Sequence, residues 1–162
     1  MARVVIADAG PLIALAGIDE LGILRDLFGQ VVVPDGVRDE CTAKKSKDAE
    51  RIAEAISAGW LVLREGGTKG ADKPLTPSLG RGESEAITLA LDGPQESLLI
   101  LDDRLARRYA LRRNLSVIGT VRVLTLAEDR GLIESAAHCI GEMAGNGYRI
   151  SRELLDTIRD GL

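Results

Sequence analysis

The residues placed to do chemistry in this sequence are carboxylates. Asp8 and the pair Asp102-Asp103 are each the first charge after an aliphatic run, Val4-Val5-Ile6-Ala7 and Leu98-Leu99-Ile100-Leu101. Such runs read as buried parallel strands, and open parallel sheets bind their ligands just beyond the carboxyl ends of the strands. Glu40, and Glu83 with Glu85, fall where helices could present them to the same edge. Acids gathered at one edge repel one another unless a hard cation neutralises them, and an oxygen-rich site with few dedicated ligands suits Mg²⁺ or Mn²⁺. An ion held in this way activates water and stabilises the charge that develops on a phosphodiester.

Each acid also has a structural reading. Acids at helix N-termini gain about 0.3 to 1 kcal/mol from the macrodipole, which alone would account for Glu83, Glu85 and Asp103. Asp8 is different, because it lies between Ala7 and Ala9-Gly10-Pro11-Leu12, where small and apolar neighbours leave a charge in need of a partner. Rival chemistries find little support. The one histidine, His138, sits beside Cys139 in a C-terminal helical pattern and reads as a partly buried structural residue. Cys41 and Cys139 have no CxxC or zinc-type spacing and read as buried, reduced small hydrophobes. Gly80-Arg81-Gly82-Glu83 is not a phosphate loop: no Lys-Ser/Thr follows it, and Glu83 and Glu85 would repel phosphate.

The elements that must position these acids alternate. Strands are expected over 4–7, 30–33, 61–63, 98–101 and 116–118, with amphipathic helical segments between them, the pattern of a parallel sheet covered by helices on both faces. The helical segments are 12–16, 21–28, one opening at Pro34-Asp35, 47–58, 83–92, 105–113, 121–129, 133–143 and 151–160, the last with Ser151 as N-cap. Residues 66–80 hold four glycines and two prolines and read as a long surface loop within the domain. The 162 residues are one domain's worth, so 1–162 is read as a single domain. The N-terminus reaches an acid too soon for a signal peptide, and no apolar run has membrane-spanning length, which points to the cytoplasm.

A net charge of -4 means that any nucleic acid must be met by a local cluster of cations. The segment after Asp103 supplies one. Arg104, Arg108 and Arg112 share a helical face, with Arg107 beside them and Arg113 following, and the row could track a phosphate backbone. The structural reading, a solvated face opposite an apolar side of Leu105, Ala106, Tyr109 and Leu111, stands equally. With one Trp, two Tyr and one Phe, base-stacking platforms are not expected.

In this order, Asp8, Glu40, Glu83 and Asp102-Asp103 resemble the acids of the PIN-domain family of Mg²⁺-dependent ribonucleases. The segments Asp8-Ala9-Gly10-Pro11-Leu12-Ile13-Ala14-Leu15, Leu79-Gly80-Arg81-Gly82-Glu83-Ser84-Glu85-Ala86-Ile87, Leu101-Asp102-Asp103-Arg104-Leu105-Ala106-Arg107 and Gly119-Thr120 are similar to those of a prokaryotic subgroup of unassigned function. The resemblance implies a three-layer α/β/α sandwich with a five-stranded parallel sheet in order 3-2-1-4-5. It implies Asp8, Glu40, Glu83 and Asp103 as the catalytic acids, and a metal, Mg²⁺ or Mn²⁺, held among Asp8, Glu83, Asp102 and Asp103. Either aspartate of the pair fits the fourth acid, with Asp103 favoured. Glu85 and Thr120 fall behind the ligands, Thr120 orienting water or a ligand carboxylate. It further implies an RNA substrate and, as in the toxins of toxin-antitoxin pairs, a small antitoxin partner and a homodimer.

Two positions depart from the common pattern: Gly10 stands where a small hydroxyl residue is frequent, and the third acid is Glu83 rather than aspartate. Three function classes follow. The first is a metal-dependent endoribonuclease using Asp8, Glu83 and Asp103, with Arg104, Arg107, Arg108 and Arg112 on the RNA. The second is a catalytically weak module that binds RNA or protein. The third, a phosphotransfer or phosphatase domain, usually needs Asp-x-Asp, and Gly10 removes the second acid.

Overall fold

In a computed structural model, which describes residues 3–66, 75–93 and 96–149, five strands form one sheet, all parallel, in the order β3-β2-β1-β4-β5. The strands are β1 (Val4–Ala7), β2 (Val31–Pro34), β3 (Leu61–Arg64), β4 (Ser97–Ile100) and β5 (Ser116–Ile118). The register pairs Ile6 with Val32 and with Leu99, and Leu99 with Val117, so the carboxyl ends of β1, β4 and β5 come level. Among the described residues eight helices flank the sheet: α1 (Ala9–Gly17), α2 (Ile23–Phe28), α3 (Asp35–Thr42), α4 (Lys47–Ser57), α5 (Arg81–Asp92), α6 (Arg104–Arg112), α7 (Thr120–Asp129) and α8 (Ala136–Gly145). The fold is the α/β/α sandwich expected. The expected helix over 151–160, the middle of the 66–80 loop and the stop at Pro94 lie outside the described residues.

Strand alternation builds the two cores. Val5, Ala7, Val31, Val33, Leu98 and Ile100 face the larger one, filled by α1, α2, α3, α4, α7 and α8. Ile6, Val32 and Leu99 point the other way, onto Ala86, Ile87 and Ala90 of α5 and Ala106 and Ala110 of α6. Because both faces are covered, the strands show unbroken aliphatic runs in place of polar alternation.

Helices begin earlier than their apolar periodicity suggests. Ala9 and Gly10 belong to α1, and Arg81 and Gly82 to α5, because first turns built of small or charged residues carry little apolar signal even where they are buried. The visible end of the 66–80 loop is anchored: Leu79 is buried in the smaller core, and the Leu75 N–H donates to Ser84 Oγ at 3.1 Å. His138 corrects its expected burial. Its side chain is 77% exposed and lies 3.3 Å from Glu142, one turn on. Leu105 and Leu111 are exposed as well, so the apolar side of α6 is Ala106, Ala110 and part of Tyr109. Cys41 and Cys139 are buried and unbridged as expected, and burial pushes the Cys41 thiol up to about 12.

Candidate functional site

Asp8 occupies the N-cap position of α1 but does not cap it. The reason is local: the third helical residue is Pro11, which has no N–H to donate, so a helix that would tie up the carboxylate leaves it free to face the sheet edge. It is buried, at 8% exposure. Desolvation raises its carboxyl to about 7, the Ala9 N–H gives partial relief, and the charges of Glu40, Asp102 and Asp103 push it further up. One oxygen, Oδ1, would stand 3.6 Å from a Cβ added at Gly82, which places it against the first turn of α5.

Glu83 projects from that turn. Its carboxyl is also raised to about 7, by burial first and then by its acidic neighbours Asp8 and Asp103. The Oε2 atom is buried and has no donor. Asp103 caps α6, its Oδ2 accepting from the Ala106 N–H at 3.0 Å, and its remaining oxygen is available to the pocket. Glu40 is exposed on α3 and acts on Asp8 through its charge. Three acids from β1, α5 and the β4–α6 junction thus adjoin one another, with Glu40 at the rim.

Asp102 is near enough for its charge to raise the Asp8 carboxyl, and both of its oxygens are held by one residue. Its Oδ1 accepts from the Thr120 N–H at 2.8 Å and its Oδ2 from the Thr120 hydroxyl at 2.6 Å. Thr120, the first residue of α7, is fully buried, so the pair ties the end of β4 to the helix that follows β5. The phenol of Tyr148 lies near the same pair. Burial beside Asp102 raises the phenol well above its ordinary value, keeping it a proton donor.

Glu85 supports the site from behind. It is buried at 8%, its Oε1 accepting from the Gly36 N–H at 3.2 Å, while Oε2 lies 3.1 Å from Arg81 Nε in an ion pair without hydrogen-bond alignment. Arg81 also holds Asp39 at 3.1 Å, so α5 is clamped to α3, the helix that carries Glu40. Gly36 and Gly66 make room for this carboxylate, since a Cβ at either would collide with it. Gly36→Ala is therefore expected to cost about 1–3 kcal/mol by overpacking, read as a lower urea midpoint at unchanged m-value.

Along α6, Arg104, Arg107, Arg108, Arg112 and the exposed Leu111 line a depression of about 610 Å³ that reaches Asp102. Arg113 is separate, stacked over Tyr109 at 3.4 Å. Arg107 turns inward, its Nη1 lying 2.5 Å from where a Cβ at Gly119 would be. The four arginines named from spacing therefore line one surface, with Asp102 at its end.

Sequence reasoning passed over Arg81 and Tyr148. Arg81 lay in a motif tested for phosphate binding, and Glu85 four residues on was the signal for its real partner. Tyr148 carried no local signal, because its contacts come from the distant β4 and β5 ends. A family model described as a PIN domain matches residues 4–161 of the chain. No curated protein matches it.

Proposed function

The chain belongs to the PIN-domain family, and from this we propose that it is a metal-dependent endoribonuclease that hydrolyses RNA phosphodiesters. PIN domains are generally nucleases that depend on a divalent metal. The observation that carries the reading is the buried Glu83 oxygen without a donor, set beside Asp8 and Asp103. A buried acceptor of this kind is costly unless something satisfies it, and a cation bound by one or two of these carboxylates would do so.

The donor set fits Mg²⁺ or Mn²⁺. Every donor is a carboxylate oxygen, and an ion that keeps several waters needs only one or two protein carboxylates. Asp8 and Glu83 would hold it directly, Asp103 directly or through water. When bound, it supplies a more acidic water and neutralises charge on the phosphodiester. Glu40, at the rim, completes the acidic pocket, and both oxygens of Asp102 are taken by Thr120. Glu85 sets the position of α5, hence of Glu83. The substrate backbone lies along the α6 depression, and residues 1–162 act as one domain.

Arg108→Gln is expected to weaken RNA binding evenly across homopolymers and to lower the slope of log affinity against log salt by about 0.7. Fluorescence anisotropy over a salt series reads it, and an unchanged slope would move the track off α6.

One observation favours the second reading, a catalytically weak binding module: among the described residues no three acidic, histidine or cysteine side chains are grouped as ligands of one ion. Calorimetric titration with millimolar Mn²⁺ separates the two, since absence of binding supports the module. The test of the main reading is Mn²⁺-dependent cleavage of single-stranded RNA by the wild type and by Asp8→Asn. Equal activity in both would sink it.

A further inference from the structure

We propose that the junction between α3 and α4, which carries Lys44, Lys45 and Lys47, is a second phosphate-binding surface and holds the RNA strand on the opposite side of the acids from α6. The proposal deepens the ribonuclease reading and rests on it.

Topology puts the junction at the same sheet edge as the acids. α4 leads through residues 58–60 into β3, and β3 runs parallel to β2 and β1. α4 must therefore run back from the carboxyl edge toward the amino edge, which places its first residue, Lys47, at the carboxyl edge. In the strand order the lysines belong to the β2–β3 side of β1, and the arginines of α6 to the β4–β5 side. Asp8, at the end of the central strand, stands between the two cationic groups. A cavity of about 470 Å³ joins the lysine side to the acids: Gly10, two residues beyond Asp8, and Asp48, the neighbour of Lys47, both line it.

The lysines are placed for a partner from outside. All three are exposed, and among the described residues none is in an ion pair. The arginines around them differ, since Arg38 and Arg81 are committed to Asp39, and Arg51 to Asp19. Asp48 and Glu50 follow in the first turn of α4, where the helix dipole favours them. The segment still sets Lys44, Lys45, Lys47 and Arg51 against those two acids, in a chain whose net charge is -4. Such a local excess is what a phosphate backbone requires of an acidic protein. The cavity has no Lys or Arg in its lining, and Asp48 would repel a phosphate there. It suits the neutral base and ribose, while phosphates go to the lysines beside it. A strand held on both flanks of the acids is cut internally, which is the action of an endonuclease.

The experiment compares full-length wild type, the triple variant Lys44→Gln, Lys45→Gln, Lys47→Gln, the single variant Arg108→Gln, and the combination of all four substitutions. Each is followed by fluorescence anisotropy with a labelled single-stranded RNA over a salt series, and by Mn²⁺-dependent cleavage. Exposed lysines should leave the urea midpoint where it is, so the triple variant keeps its fold. Its slope of log affinity against log salt is expected to fall by about 2, at about 0.7 for each phosphate released. The combined variant should fall by the sum, because the two surfaces hold different phosphates. In cleavage KM rises with kcat unchanged, since the binding removed is common to ground state and transition state. An unchanged slope in the triple variant overturns the second surface and leaves the ribonuclease reading standing. A combined variant that binds no more weakly than the triple one overturns the placement on opposite sides. A wild type that binds with the expected slopes but does not cleave keeps the surface and overturns the ribonuclease reading.

Discussion

Asp8→Asn is expected to abolish Mn²⁺-dependent cleavage while raising the melting temperature of the metal-free protein at pH 7.5. The two effects have one cause. Asp8 is buried and uncapped, with Glu83, Asp103 and Glu40 as charged neighbours. Each tenfold change in proton affinity is about 1.4 kcal/mol, so a carboxyl raised from 3.8 to about 7 carries on the order of 4 kcal/mol against its ionised form. Asparagine removes that charge and relieves Glu83, but its amide still needs partners, leaving a net gain of about 1–3 kcal/mol. For a chain of this size that is roughly 2–12 °C in melting temperature. Cleavage falls by on the order of 10³-fold, because losing a metal ligand removes several kcal/mol of transition-state stabilisation. Scanning calorimetry with EDTA and a cleavage assay with Mn²⁺ read the two halves. A metal-free variant less stable than wild type would show that Asp8 is held by an interaction that favours its charge.

The buried, poorly partnered setting of Asp8 was legible from its neighbours alone, since Ala7, Ala9 and Pro11 offer a charge nothing. The sheet was legible for the same kind of reason. Two buried faces leave uninterrupted aliphatic runs, and those runs mark the strands to within a residue of their observed ends. What local pattern does not carry is the different setting of Asp102 and Asp103. Both are acids after one strand, and they part only through a partner eighteen residues on, Thr120, which takes both oxygens of Asp102. Tyr148 was beyond reach because it comes near Asp102 only once the chain has turned back after α8 at Gly147. Periodicity also misjudged α6: Leu105 and Leu111 look apolar-faced in a list of residues, but small Ala106 and Ala110 are what let the helix lie close to the sheet.

Stability against pH should report the same acids without any RNA. Asp8 and Glu83 both bind their protons more tightly in the folded chain than in the unfolded one, each raised to about 7 from ordinary carboxyl values. Their contribution therefore favours folding in full below about pH 4 and is lost as the pH rises through 7. They adjoin each other and titrate as a pair, so the loss is spread over a broad window. Glu83 is partly open to solvent, and Asp8 carries most of it. Without metal, the melting temperature is expected to fall from pH 5.5 to pH 7.5. Mn²⁺ reverses the trend because it binds the ionised pair: at a hundredfold excess over Kd it adds about 2.7 kcal/mol, or roughly 5–10 °C. At pH 5.5 the ion must displace both protons, and the shift should shrink to a degree or two. Thermal melts at the two pH values, with EDTA and with millimolar Mn²⁺, give four numbers whose pattern is diagnostic. Equal Mn²⁺ shifts at both pH values would place the ion on groups already ionised at pH 5.5, away from Asp8 and Glu83.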